Sequence, residues 1–251
     1  MYDLWIYLTY LAAKTKSIAL GTASVVLPVR HPVRTAKEAA SIDTLFPERL
    51  IMGVASGDRE KDFTALGVEH QTRGNTFRHH YEILDRLLHE ENPTIESSIG
   101  MVDAKTMRMI PRPVSVIPTM VTGFSQQSMR WIAEHGDGWI QYPRDISEQS
   151  LLIRDYRTLS EIANPAVFKP FTQTLYIDLA EDPNQTPRKI PLGYHLGRNH
   201  LLELLHKFEA IGVNHLAFVL YFARRPIEDM IQELGEEVLP HFPAHDLTGK
   251  E

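Results

Sequence analysis

The sequence predicts an α/β fold of parallel strands, and three observations carry that prediction. Six short β-branched runs each precede an amphipathic stretch with helical periodicity. Each run is closed within a few residues by Pro, Gly or Ser, which sets strand rather than helix length. The stretches between successive runs are long enough to hold a crossover helix, which parallel pairing requires.

Residues 3–13 (DLWIYLTYLAA) put Leu4, Tyr7, Leu8 and Leu11 on one helical face. The small and β-branched run 17–27 (SIALGTASVVL) reads as a buried strand, closed by Pro28 and Pro32, and 35–46 as a helix. Residues 49–56 (RLIMGVAS) form the second strand. The helical region after Glu60 is clearest over 77–90, where Phe77, Tyr81, Leu84 and Leu88 recur at helical spacing. Residues 92–115, with Pro93, Gly100, Pro111 and Pro113, read as an irregular excursion. The third strand, 116–123, leads into a helix starting at about Ser125, and 138–142 is a short strand. A helix over 147–163, a strand over 171–180 and a Pro/Gly-rich loop over 182–197 follow. Leu201, Leu204, Leu205 and Phe208 mark a helix over 198–210. The last strand is 215–222, and Ile227, Met230, Ile231, Leu234 and Val238 mark the closing helix. No linker or low-complexity tract interrupts this order, so residues 1–251 read as one domain.

The length of 251 residues sits near the ~250 of a (β/α)8 barrel. Six strands and an opening helix are nevertheless two strand–helix units short of closure. The expected form is a TIM-barrel-like fold of six parallel strands lacking the first two units, with a six-strand open sheet as the alternative. With no cysteine, disulfides, thiolate nucleophiles and zinc–cysteine sites are excluded, and a cytoplasmic protein is expected. The net charge of −6 argues against nucleic acid, and basic clusters such as Arg224-Arg225 are too short to reverse it. The apolar stretch Leu4 to Ala13 is too short to span a bilayer and lacks a basic preceding region. The twelve histidines show no metal-ligand spacing, so no metal is expected, and His79-His80 read as solvated. No Walker loop, GxSxG or GxGxxG is present.

Ligands of parallel α/β folds bind beyond the carboxyl ends of the strands. The first strand end, Thr22-Ala23-Ser24, leads to His31-Pro32; its small residues either admit a flat ligand or fill a core, and His31 is a base or a helix-entry residue. Ser56-Gly57-Asp58 either caps a helix or offers backbone N–H groups to a ligand. Gly123, Ser125 and Ser128 near a helix start fit a phosphate cradle, although Ser125 is equally an ordinary N-cap. Arg73 is an anion clamp or a surface charge. The loop from Gly193 to Arg198, with His195, is a phosphate loop or a mobile surface loop.

Taken together, IALGTASVVLPVRHPVRTAKEAASIDTLFPERLIMGVASGDREKDFTALGVEHQTRG resembles the bacterial luciferase-like flavin monooxygenase family in the order of its motifs. MVTGFSQQSMRWIAEHGDGWI (120–140) is similar to a second family segment, and GVNHLAF to a third. The resemblance implies a barrel holding reduced flavin at its carboxyl face. It implies a non-proline cis peptide at Ala23-Ser24 beneath the ring, Ser56 and Gly57 beside the ring or ribityl chain, and Gly123, Ser125 and Ser128 on the flavin phosphate, with Arg73 reaching toward it. The family's two opening units precede the helix that begins here, and Ala55 stands where the luciferases carry a reactive cysteine, so light emission is not implied.

The expected function is a flavin-dependent oxidoreductase, a monooxygenase using reduced FMN and O₂ on a small organic substrate. The reduced cofactor would come from a flavin reductase or from NAD(P)H, and the resemblance implies a homodimer. A deazaflavin-dependent enzyme, a non-catalytic flavin-binding protein and an inactive fragment are the alternatives. His31 and His195 are the candidate acid–base residues; neither is assigned a role by spacing alone.

Overall fold

The computed structural model describes residues 2–243. The chain divides into two compact units, residues 1–140 with 159–169, and residues 141–158 with 170–251.

In the first unit, helix α1 (Leu4–Lys14) starts where the Asp3 carboxylate accepts the N–H groups of Trp5 (3.0 Å) and Ile6 (3.2 Å). It buries Trp5, Leu8 and Ala12, so the core stripe is rotated from the expected one and Tyr7 stays exposed. The first strand is split into β1 (Leu20–Gly21) and β2 (Val25–Val26). Both pair in parallel with β3 (Leu50–Ala55). Pairing continues in parallel from β3 to β6 (Thr119–Thr122) and from β6 to β7 (Gly138–Gln141).

Helix α2 (Pro32–Leu45) opens three residues earlier than its periodicity indicates, because Pro32 suits a first turn whose N–H groups lack partners anyway. It lays the fully buried Ala36, Ala39 and Ala40 into the core. After α3 (Glu60–Ala65), helix α4 (Arg73–His89) buries Phe77, Tyr81, Leu84 and Leu88 as their spacing predicts. The stretch 92–115 is not wholly irregular: β4 (Ile95–Ser97) and β5 (Gly100–Val102) form an antiparallel hairpin too short to leave an alternation signal. Helix α5 (Met129–His135) begins four residues after Ser125. Ser125 and Gln126 hold φ of 48° and 61°, which a right-handed helix does not admit.

In the second unit, β8 (Phe171–Leu179) is the central strand. It pairs in parallel with β11 (His215–Val219) along 172–176 and with β10 (Gly193–Leu196) along 176–179. Strand β9 (Arg188–Ile190) runs antiparallel to β10, so the expected loop 182–197 is a hairpin. Gly193 permits the close approach of β10 to β8: a Cβ there would lie 1.7 Å from the Tyr176 carbonyl oxygen. The helix layer comes from α6 (Ile146–Ala163), α7 (Arg198–Ala210) and α8 (Ile227–Glu233). A π turn, Leu234–Val238, continues α8 and keeps Leu234 and Val238 buried beside Met230, while Ile227 and Ile231 remain exposed. Among the described residues no helix is long and apolar enough to cross a membrane.

Candidate active site

In the first unit, three neighbouring strand ends are tied together by hydroxyl groups. The Ser24 hydroxyl donates to Thr122 Oγ1 (2.6 Å), joining the residue before β2 to the end of β6. Ser125 Oγ donates to the Thr122 carbonyl (2.8 Å) and accepts the Ser56 N–H (3.2 Å), joining the ends of β6 and β3. Ala23 is exposed at this junction, and the Ala23–Ser24 peptide bond is cis, as the resemblance implies. Gly53 lets the strands approach this closely, since a Cβ on it would stand 2.1 Å from the Thr22 carbonyl oxygen.

The loop after β6 turns tightly. Gln127 N–H donates to the Phe124 carbonyl (2.8 Å), and positive φ at both Ser125 and Gln126 makes this a type I′ turn built without glycine. Gly123, at φ 58°, has open space where a side chain would be, and its carbonyl accepts from Trp139 Nε1 (2.6 Å). Ser128 is the true N-cap of α5, accepting from Trp131 N–H (3.2 Å). Helix α4 clasps this loop: Gln127 Nε2 donates to the Gly74 carbonyl (2.9 Å), and Arg78 Nε to Gln127 Oε1 (3.0 Å). Next to Gly74, Arg73 donates one guanidinium nitrogen to the His70 carbonyl (3.1 Å), while its Nε is buried without a partner.

Ala23, Ser24, Ser56, Gly123 and Ser125 therefore meet at one junction, with Arg73 and Ser128 on the elements that flank the turn. The Ser125 hydroxyl is engaged within the chain and shapes the turn. Gly57, at φ 78°, faces Val26 and Phe63, which a Cβ there would meet at 2.7 and 2.9 Å. His31 is placed elsewhere: it caps no backbone group of α2, and its Nε2 lies 3.2 Å from the Ile99 carbonyl. There it borders an apolar cavity of about 180 Å³ shared with Ile83, Ile95 and Met107. His80 is not solvated as expected but buried, with Nδ1 on the Leu27 carbonyl (2.9 Å). Burial lowers its pKa, and the nearby His79 and His31 add to that direction against the opposing hydrogen bond.

In the second unit, His195 Nδ1 stands 2.9 Å from Asp178 Oδ2. Arg224 Nε donates to the same oxygen (2.7 Å), and Arg224 N–H to Oδ1 (3.2 Å). Asp178 is buried, which by itself raises a carboxyl pKa; the hydrogen bonds and charge of Arg224, with His195, outweigh that and hold it low. Spacing offered no sign of this pairing, because 17 residues separate Asp178 from His195 and 46 separate it from Arg224. Among the described residues, no group of three or more His, Asp or Glu side chains is placed to hold a metal ion.

A family model described as luciferase-like monooxygenase matches residues 2–185. An uncharacterised protein of Mycobacterium tuberculosis is 29% identical over 194 residues, 76% of this chain and 66% of that protein. The chain thus spans just under two thirds of that relative's length. The monooxygenase RslO1 from Streptomyces bottropensis superposes with a TM-score of 0.79 at 17% identity, covering 96% of this chain and 83% of that one. The coenzyme F420-dependent tetrahydromethanopterin reductase from Methanopyrus kandleri gives 0.77 at 15% identity, covering 96% and 88%. At such identities the likeness establishes the fold, a TIM-barrel-like, mostly parallel α/β sheet.

Proposed function

We propose, from the premise that this chain belongs to the luciferase-like monooxygenase family, that it is a flavin-dependent oxidoreductase acting with reduced FMN and O₂ on a small organic substrate. The observation that carries the reading is the junction of strand ends in the first unit. Beside it, the buried and unpartnered Arg73 Nε lies on the helix that clasps the Gly123–Ser128 turn. That donor set fits a phosphate-bearing planar cofactor. A buried guanidinium N–H with no acceptor is costly, and an anion would satisfy it.

When bound, the flavin would supply the redox chemistry. The chain's own part is to bind and orient. Arg73 and the Ser128 hydroxyl would hold the phosphate, with Ser125 fixing the turn that presents Gly123. Ala23, Ser24 and Ser56 would form the floor under the ring and ribityl chain. The reading treats residues 1–251 as one barrel domain supplied with reduced cofactor by a separate reductase or by NAD(P)H. A second reading, use of a deazaflavin, is favoured by the fold likeness to the F420-dependent reductase.

Fluorescence or calorimetric titration tests this directly. FMN should bind, and Arg73→Ala should weaken FMN by about tenfold or more, the scale of one charge-assisted hydrogen bond, while leaving riboflavin affinity unchanged. Tighter binding of reduced coenzyme F420 than of reduced FMN selects the second reading. Binding of neither sinks both.

A further inference from the structure

Strand β8 sorts its side chains by alternation. Phe171 packs on Tyr156 of α6 (6.3 Å between ring centroids), and Gln173 accepts from Gln149 of the same helix (2.7 Å). Residues 171, 173, 175, 177 and 179 therefore face the helix layer, and Thr172, Thr174, Tyr176 and Asp178 face the other way. In a parallel α/β fold that opposite face, at the carboxyl end of a strand, is where ligands are held. Asp178 is the next-to-last residue of β8, and His195 is its register partner on β10.

The Asp178 backbone carbonyl accepts the Nδ1–H of His195 (3.1 Å), with the carboxylate Oδ2 2.9 Å from the same nitrogen, which leaves Nε2 as the bare, lone-pair nitrogen. Among the described residues Nε2 takes no hydrogen bond, and the His195 side chain is 19% exposed, enough for a ligand atom to reach it. Arg224 fixes the carboxylate from the segment after β11, and Arg188 of β9 stands opposite His195 in register. Asp178, Arg224 and Arg188 are thus the charged groups facing the imidazole from the three elements around it. On the same face of β8, Tyr176 lies 5.7 Å from the Phe222 ring, and the hydroxyl of Thr174 is buried without a partner. An aspartate-held imidazole, two cations and an aromatic pair suit a planar molecule carrying an acidic hydroxyl.

We propose that His195 accepts the proton of a phenolic or enolic hydroxyl on the substrate, with Asp178 and Arg224 as positioning residues. The inference rests on the oxidoreductase reading for the redox step after deprotonation, but the proton transfer itself needs no co-reactant. The substrate O–H bond breaks as Nε2–H forms, and the electron pair stays on oxygen. The imidazolium charge is set against the Asp178 carboxylate, and the oxyanion against the imidazolium, Arg188 and Arg224. An ordinary aliphatic alcohol would not serve, because imidazole is too weak a base for it.

The full chain can be tested with p-nitrophenol, whose phenolate absorbs apart from the phenol. The wild-type protein should bind the probe as phenolate at a pH where the free probe is protonated. His195→Gln, which leaves the Asp178–Arg224 bond in place, should lose the phenolate band and bind about tenfold more weakly or worse. Asp178→Asn should keep the probe bound with a smaller phenolate fraction. Nitrogen-15 NMR of wild-type His195 gives a reading free of folding effects: Nε2 should gain a proton when the probe is added. Absence of probe binding, equal binding by His195→Gln, or an Nε2 unchanged by the probe overturns the proposal. Titration of FMN and coenzyme F420 on the same samples separates the two readings. Cofactor binding without a His195-dependent probe site rejects this inference alone, and the converse rejects the cofactor reading alone.

Discussion

Asp43 and Arg49 flank the turn from α2 to β3, and both act on backbone. One carboxylate oxygen of Asp43 accepts the N–H groups of Val114 (2.7 Å) and Ser115 (2.9 Å), and the other accepts the Ser115 hydroxyl. Arg49 donates to the carbonyls of Ala12 (3.0 Å), Thr15 (3.0 Å) and Ile18 (2.9 Å), closing the C-terminal end of α1 where a cation also suits the helix dipole. Both side chains thus serve folding. Asp43→Ala strands two part-buried N–H groups and should lower unfolding free energy by about 2–3 kcal/mol in urea titrations. His80 gives a pH signature. Its folded pKa lies below the unfolded value of about 6.5, so the unfolded chain binds the extra proton. The stability it contributes is full above pH ~6.5 and is lost as pH falls from there toward the folded pKa. Melting temperatures taken across that window should decline less steeply in His80→Gln than in the parent; equal slopes would discount the assignment.

Among the elements, the turn from Phe124 to Gln127 bears most on function. Its two central residues hold left-handed backbone at a cost, and the contact with α4 depends on the absence of a side chain at Gly74. A Cβ there would stand 2.7 Å from the Cβ of Gln126. Gly74→Ala should therefore destabilise by about 1–3 kcal/mol and weaken FMN binding. Adding Gln126→Gly removes the clashing atom and relaxes the φ at that position, so the double variant should recover both. A double variant no better than the single would show that the turn is not held this way. Helix α1 illustrates a limit of pattern reading. Leu4, Tyr7, Leu8 and Leu11 share a face by spacing, yet Trp5, Leu8 and Ala12 are buried. With apolar residues nearly all round, periodicity cannot choose between faces; the neighbour chooses. The same holds for the two hairpins, whose strands of three or four residues are held by pairing partners.

For the molecule as a whole, the family reading carries the expectation of a homodimer, and sedimentation equilibrium should return twice the mass of one chain; a single-chain mass at micromolar concentration would set it aside. The amino-acid order by itself determined the alternation of strands and helices, the parallel pairing and the positions of the strand ends. Those depend on local periodicity and on punctuation by Pro and Gly, which act over a few residues. It also named Ser24, Ser56, Gly123 and Ser125 as strand-end candidates without saying which would touch. The tertiary structure alone decided that Ser24 bonds Thr122, 98 residues away, and that Ser56 bonds Ser125, 69 away. It alone turned His31 toward the β4–β5 hairpin, buried His80, and gave His195 its aspartate. Those outcomes depend on register between strands and on which face a neighbour covers. Register is set by the packing of the whole sheet, and no window of sequence contains it.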